Sequence, residues 1–196
     1  MSALIIGATF ACWAAFHSLL ASLRVKRLAG RIFGEAAKRW YRLGFVITAV
    51  LTLIPLVLLV LRLPDTPLYS VPPPWRWIMT AGQLSALALL VWTVAATEPL
   101  DFIGIKQIRG ASYRSTLTTR GLYRVSRHPM YLTSMLVMWL SPTMSVNFAT
   151  LFALMSLYFI VGSYHEEMLL VKQFGPAYRE YRKKVPRIFP GLAFPP

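Results

Sequence analysis

The chain has a single cysteine in 196 residues, seven acidic side chains against 21 basic ones, and no glycine-rich loop. Each shortage excludes something. Cys12 sits alone inside an apolar run, so neither an intrachain disulfide nor a cysteine zinc cluster is possible, and no metal site is expected. No glycine spacing of the Rossmann or P-loop kind occurs, which removes the usual soluble nucleotide cradles. Polar stretches are scarce as well. With 56% apolar residues and a mean hydropathy of +0.53, the composition is that of a membrane protein, at a length that suits one unit.

What is abundant is basic charge, formally +14, and its placement decides its meaning. Seven Lys and Arg lie between Arg24 and Arg42, six between Lys106 and Arg127, and six between Lys172 and Arg187, with only Arg62 and Arg76 elsewhere. These clusters fall between apolar runs, a distribution that points to a membrane face rather than to nucleic acid.

A membrane helix needs about 20 apolar residues to cross a core of roughly 30 Å. Ala3 to Leu23, Leu43 to Leu61 and Trp75 to Ala96 meet that length, and the first reads as a retained span rather than a cleaved leader. Gly121 to Leu140 and Val146 to Tyr164 are read as a fourth and fifth span, paired in a tight hairpin through the uncharged turn Ser141 to Ser145. The expected fold is all-α: a polytopic helix bundle of about five spans in one domain over residues 1–196, with an amphipathic tail. Five spans put 19 of the 21 basic residues on one side, read as cytoplasmic, with the N-terminus outside. A bacterial inner membrane fits that pattern. Tyr69, Trp75, Trp77 and Trp139 fall where interfacial aromatics belong, and Gly175-Pro176 marks a helix stop followed by a new start.

Ionisable residues at the mouth of a membrane hairpin are costly and mark a candidate site. Arg127-His128-Pro129-Met130-Tyr131 opens the fourth span, and Pro129 frees nearby carbonyls from helical bonding. Glu166-Glu167 closes the fifth on the same face, so the two carboxylates come near His128. Neighbouring helical residues point in different directions. One carboxylate is therefore available to a ligand and the other to a basic loop. A snorkelling Arg and a solvated helix end remain the plainer readings. His17, deep in the first span, suits either an interhelical hydrogen bond or a substrate.

Taken together, Ser115-Thr116-Leu117-Thr118, Gly121 with Tyr123, Arg127 to Tyr131, Glu166-Glu167, Phe174-Gly175 with Tyr178 and Tyr181, and Val185-Pro186-Arg187 resemble the C-terminal signature of the isoprenylcysteine carboxyl methyltransferase superfamily. That resemblance implies an integral-membrane methyltransferase using S-adenosyl-L-methionine, with a cofactor-binding part at about residues 112–190. Its implied cofactor contacts are Ser115, Thr116, Leu117, Thr118, Tyr123, His128, Pro129, Met130, Tyr131 and Glu166. Ser115 stands where the prenylcysteine branch often has His, and Gly162 stands where it has a substrate-facing Arg. Trp139 to Ser145 and Phe16 to Ala21 resemble the methanethiol S-methyltransferase branch instead. The implied partners are the lipid bilayer and a small or lipophilic acceptor, a thiol, a prenylcysteine carboxylate or a lipid, and no nucleic acid. Water, His128 and Glu167 are each open as proton acceptor, and no catalytic residue is assigned. The His17-Ser18 span, followed by a basic loop and Tyr41-Arg42, also resembles the NnrU family of nitrogen-oxide- or heme-linked membrane proteins, which is the alternative. The membrane sterol reductases share a similar tail, but the chain is short for them.

Overall fold

The computed structural model describes residues 1–97, 100, 103–108 and 116–191. In chain order the elements are α1 (Ser2–Ala21), α2 (Leu23–Phe33), α3 (Glu35–Arg62), β1 (Pro67–Ser70), α4 (Trp75–Ala96), α5 (Ile105–Ile108), α6 (Pro129–Trp139), β2 (Thr143–Ser145), α7 (Val146–Phe174) and α8 (Pro176–Lys184). Helix dominates, as expected of an all-α membrane bundle. Among the described residues, four helices are long and apolar enough to cross a bilayer: α1, Arg39–Arg62 of α3, α4 and α7. Their apolar side chains, such as Leu4, Leu51, Leu84, Val91 and Leu157, are mostly exposed, as lipid-facing residues must be.

Two compact units are present. The first contains Met1–Pro67, Thr97–Arg114 and Ser145–Leu151. Here α1 lies along α3: the Trp13 indole donates to Thr52 Oγ1 at 3.2 Å and the Tyr41 hydroxyl to the Leu20 carbonyl. His17 packs on the Trp13 ring at 5.1 Å and on Phe45 at 4.7 Å. The segment expected to be a basic loop, residues 24–42, is helical almost throughout. Val25, Leu28, Ala29, Ile32 and Phe33 recur at helical spacing between the basic residues. Ser22 caps the start by accepting from the Val25 N–H at 3.3 Å, and Gly34, at φ 55°, makes the turn into α3. Gly104, at φ 94°, approaches α3 so closely that a Cβ would lie 2.7 Å from the Leu43 nitrogen. At the other end, Asn147 donates to the carbonyls of Val60, Leu63 and Pro64 at 3.3–3.4 Å, and the Asp65 carboxylate accepts from the Asn147 N–H at 3.0 Å. That carboxylate also complements the positive end of α7.

The second unit contains Leu68–Ala96, Ser115–Met144 and Phe152–Pro196. Gln83 of α4 donates to the Val137 carbonyl of α6 at 2.8 Å, a polar tie of the kind that joins apolar helices. The Trp139 indole donates to Ser156 Oγ at 3.0 Å and closes the α6–α7 hairpin. A short two-stranded pairing of β1 with β2 follows the hairpin turn, where Tyr69 donates to the Ser141 carbonyl at 3.0 Å.

Two boundaries differ from the sequence expectation. The span read over Gly121 to Leu140 is helical only from Pro129; Gly121–Arg124 is a 3-10 turn. Proline fits the first helical position and disfavours helix in the residue before it, so His128 stays out of the helix at φ −122°. The last span runs on to Phe174. Glu166 and Glu167 therefore sit two turns inside α7, with Glu167 turned inward and Glu166 half-exposed, rather than fraying at its end.

Candidate functional site

The non-helical backbone before Pro129 builds the site. The N–H groups of Arg127 and His128 are free of helical bonding and donate, each at 3.0 Å, to the carbonyls of Pro186 and Arg187. Ser126 Oγ donates to the same Arg187 carbonyl at 3.1 Å. Thus the Arg-His-Pro motif and the Val-Pro-Arg tail motif, about 60 residues apart in sequence, are one pairing. The tail is held further by a cluster of Tyr178, Tyr181 and Val185 against Leu117, Leu170, Val171 and Phe174, and by the Tyr181 hydroxyl, which donates to the Tyr123 carbonyl.

The two adjacent carboxylates divide their work as their helical positions require. Glu167 is buried, with Arg127 Nη2 at 3.2 Å, Arg187 Nε at 3.4 Å, His128 Nε2 at 3.5 Å and Arg182 Nε at 3.7 Å. Arg187 also lies 3.4 Å over the Tyr164 ring. Glu166 keeps 47% of its side chain exposed and accepts from the Tyr131 hydroxyl at 3.1 Å, with His128 Nδ1 at 3.4 Å. His128 thus bridges both carboxylates. Its ring stacks on Tyr131 at 5.4 Å, and Tyr131 stacks on Phe159 at 5.0 Å, both within 8° of parallel.

Burial pulls the His128 imidazole toward neutrality, but its contacts with Glu166 and Glu167 prevail and hold its pKa above the usual value. An imidazole with both nitrogens facing carboxylates is a bridge, not a free base. Glu167, surrounded by three guanidinium groups, is equally unavailable to take a proton.

Beside this cluster lies a pocket of about 550 Å³ lined by Trp92, Thr93, Ala96 and the continuous run Leu117 to Tyr123. Burial, followed by the nearby Glu166 charge, pushes the Tyr123 phenol up to about 12, so it stays a neutral donor. Of the residues expected to contact a cofactor, Leu117, Thr118 and Tyr123 line the pocket, whereas His128, Tyr131 and Glu166 form the neighbouring cluster. Pro129 is fully buried under the His128 turn, and Met130 is half-buried on the first turn of α6. Thr116 is exposed and does not line the pocket, and Ser115 lies outside the described residues. The sequence reading did not single out Trp92, Phe159, Tyr164 or Arg182. Phe159 and Glu166 are seven apart on α7, one helical face, which is the signal that would have found it.

A model of a phospholipid methyltransferase family matches residues 77–177, and this stretch holds the pocket, the Arg-His-Pro turn and both carboxylates. The chain belongs to that family. It is a membrane methyltransferase. Methanethiol S-methyltransferase 2 of Bradyrhizobium diazoefficiens is 27% identical over 90% of this chain and 68% of its own length. A methanethiol S-methyltransferase of a Pseudomonas strain is 28% identical over 91% and 69%, and that of Pseudomonas deceptionensis is 33% identical over 47% and 37%. No solved structure matches the chain. The superfamily resemblance read from the sequence agrees with these relatives, and the methyltransferase reading prevails over the NnrU-like alternative.

Proposed function

We propose that this phospholipid methyltransferase family member uses S-adenosyl-L-methionine to methylate a small or lipophilic thiol. One observation carries the reading: the run Leu117 to Tyr123 lines a pocket next to a half-exposed carboxylate, Glu166, fixed by His128 and Tyr131. A volume of about 550 Å³ is of the size that cofactor sites take. Trp92 and Tyr123 offer aromatic faces to a sulfonium, Thr118 and Thr119 offer hydroxyls, and Glu166 offers a counter-charge. When bound, the cofactor supplies an electrophilic methyl group on a cationic sulfur. The protein's part is alignment, which in ideal intramolecular systems is worth roughly 7 to 11 kcal/mol. Ser115, Thr116, Pro129 and Met130 are kept in the proposed contact set through the family resemblance, and the whole of residues 1–196 is proposed as one methyltransferase domain.

The acceptor class rests on Gly162, around which a Cβ would meet nothing within 4 Å. Gly162 lies on the Phe159–Glu166 face of α7 and leaves open space where a cationic side chain would stand. A carboxylate entering there without a partner is penalised, whereas a thiol crosses neutral. Methyl transfer to methanethiol or a lipophilic thiol is expected to exceed transfer to acetyl-farnesylcysteine when both are assayed with radiolabelled cofactor in matched detergent. Faster turnover of the carboxylate substrate would mean that another cation, Arg124 or Arg187, serves it.

The proposed setting is a bacterial inner membrane with the N-terminus outside and the tail in the cytoplasm, from the split of basic residues. Cysteines placed at Thr66 and at Lys184, in a background lacking Cys12, are expected to label from opposite sides. Labelling from one side overturns the orientation.

A further inference from the structure

Helix α2 has no buried residue, although it joins two spanning helices through single residues, Ser22 and Gly34. Those connectors confine it to the membrane face where α1 ends and α3 begins. At 3.6 residues per turn, Arg24, Arg27 and Arg31 fall within an arc of about 60°. Val25, Leu28, Ala29, Ile32 and Phe33 occupy an adjoining arc of about 140° on the same helix. Leu28, Ile32 and Phe33 stay 54%, 64% and 65% exposed, so the first unit does not cover that apolar side. There is no acidic residue in the helix, and among the described residues none of Arg24, Lys26, Arg27 and Arg31 has an ion pair with a carboxylate.

We propose that α2 is an interfacial helix that binds anionic phospholipid headgroups along Arg24, Arg27 and Arg31, with Leu28, Ile32 and Phe33 dipping into the acyl boundary. The reasoning is charge and shape. A basic stripe flanked by an exposed apolar arc is the pattern of helices that lie in the plane of an anionic bilayer, where basic side chains near the surface find phosphates. Three guanidinium groups at successive turns present forks suited to phosphodiester oxygens on neighbouring lipids. A second copy of the chain fits less well, because it would set the same four cations against one another. This inference does not depend on the cofactor or on the acceptor.

The test uses the full-length protein in bilayers of phosphatidylcholine, with spin-labelled phosphatidylglycerol or phosphatidylcholine as the reporting lipid. Wild type is expected to select phosphatidylglycerol several-fold at low salt, with the preference shrinking as salt is added. In Arg24→Gln/Arg27→Gln/Arg31→Gln the preference should drop by at least half. Because none of the three side chains is buried, the helix content measured by circular dichroism should be unchanged. The comparison protein is Arg179→Gln/Lys183→Gln/Lys184→Gln, which removes equal charge from the exposed side of α8 and should keep most of the preference. Equal losses in both triple variants, or a preference that survives the α2 substitutions, would overturn the proposal.

Discussion

Glu167→Gln is expected to destabilise the folded protein by about 3 to 5 kcal/mol, the range for leaving a buried charge without its partner. The side chain changes little in volume, yet Arg127, Arg187 and Arg182 lose the carboxylate that all three approach within 3.7 Å. Arg127 and Arg187 are each less than one-tenth exposed, so water cannot replace it readily. The same loss loosens the tail, because the Arg187 backbone is what the Ser126 hydroxyl and the His128 N–H bind. Tryptophan-fluorescence melting in detergent should therefore show a markedly lower midpoint for Glu167→Gln than for wild type. Arg127→Gln combined with Glu167→Gln should lose less than the sum of the two single changes, since the double variant removes a cation along with its partner. Additive losses would mean that Glu167 is held by packing and that the charge cluster is incidental.

The charge cluster was half legible in the sequence. Glu166 and Glu167 are adjacent on a helix, and adjacency alone dictates that they face different surroundings. Which of them turns inward depends on where the tail returns, and that depends on the backbone before Pro129, whose two free N–H groups capture Pro186 and Arg187. Residue patterns report which backbone groups a proline leaves free; they do not report what binds them. Membrane spans were the easiest elements to read, because a long apolar run has few alternatives in a bilayer. The short span was overextended for a related reason: Gly121 to Val125 is apolar enough to pass, but its turn is stabilised locally and by Tyr181 rather than by helix. Helix α2 was hidden by its charge, since seven basic residues between Arg24 and Arg42 read as loop until the apolar residues between them are placed on a helical face. The pocket was legible on one side only. Leu117, Thr118 and Tyr123 came from the family resemblance, whereas Trp92, Thr93 and Ala96 lie at the end of a helix that looked like any other span.

Glu166→Gln is expected to weaken S-adenosylhomocysteine binding by about 1.5 to 3 kcal/mol, the range for a hydrogen bond to a charged group, or roughly 10- to 150-fold in Kd. Nearly half of the Glu166 side chain is open, and its remaining contacts, Tyr131 and His128, orient the carboxylate rather than bury it. A carboxylate held in this way is pre-organised to meet a cationic group, so most of its effect should appear in ligand affinity and little in stability. This separates it from Glu167, whose replacement should lower the melting temperature first. Glutamine preserves the size and one acceptor oxygen, so any lost affinity reports the charge. Calorimetric titration of the purified variant, checked for an unchanged melting profile, reads the effect directly. An unaltered Kd in a folded Glu166→Gln protein would falsify the assignment of Glu166 to the cofactor and leave Trp92 and the Leu117 to Tyr123 run as the remaining determinants of binding.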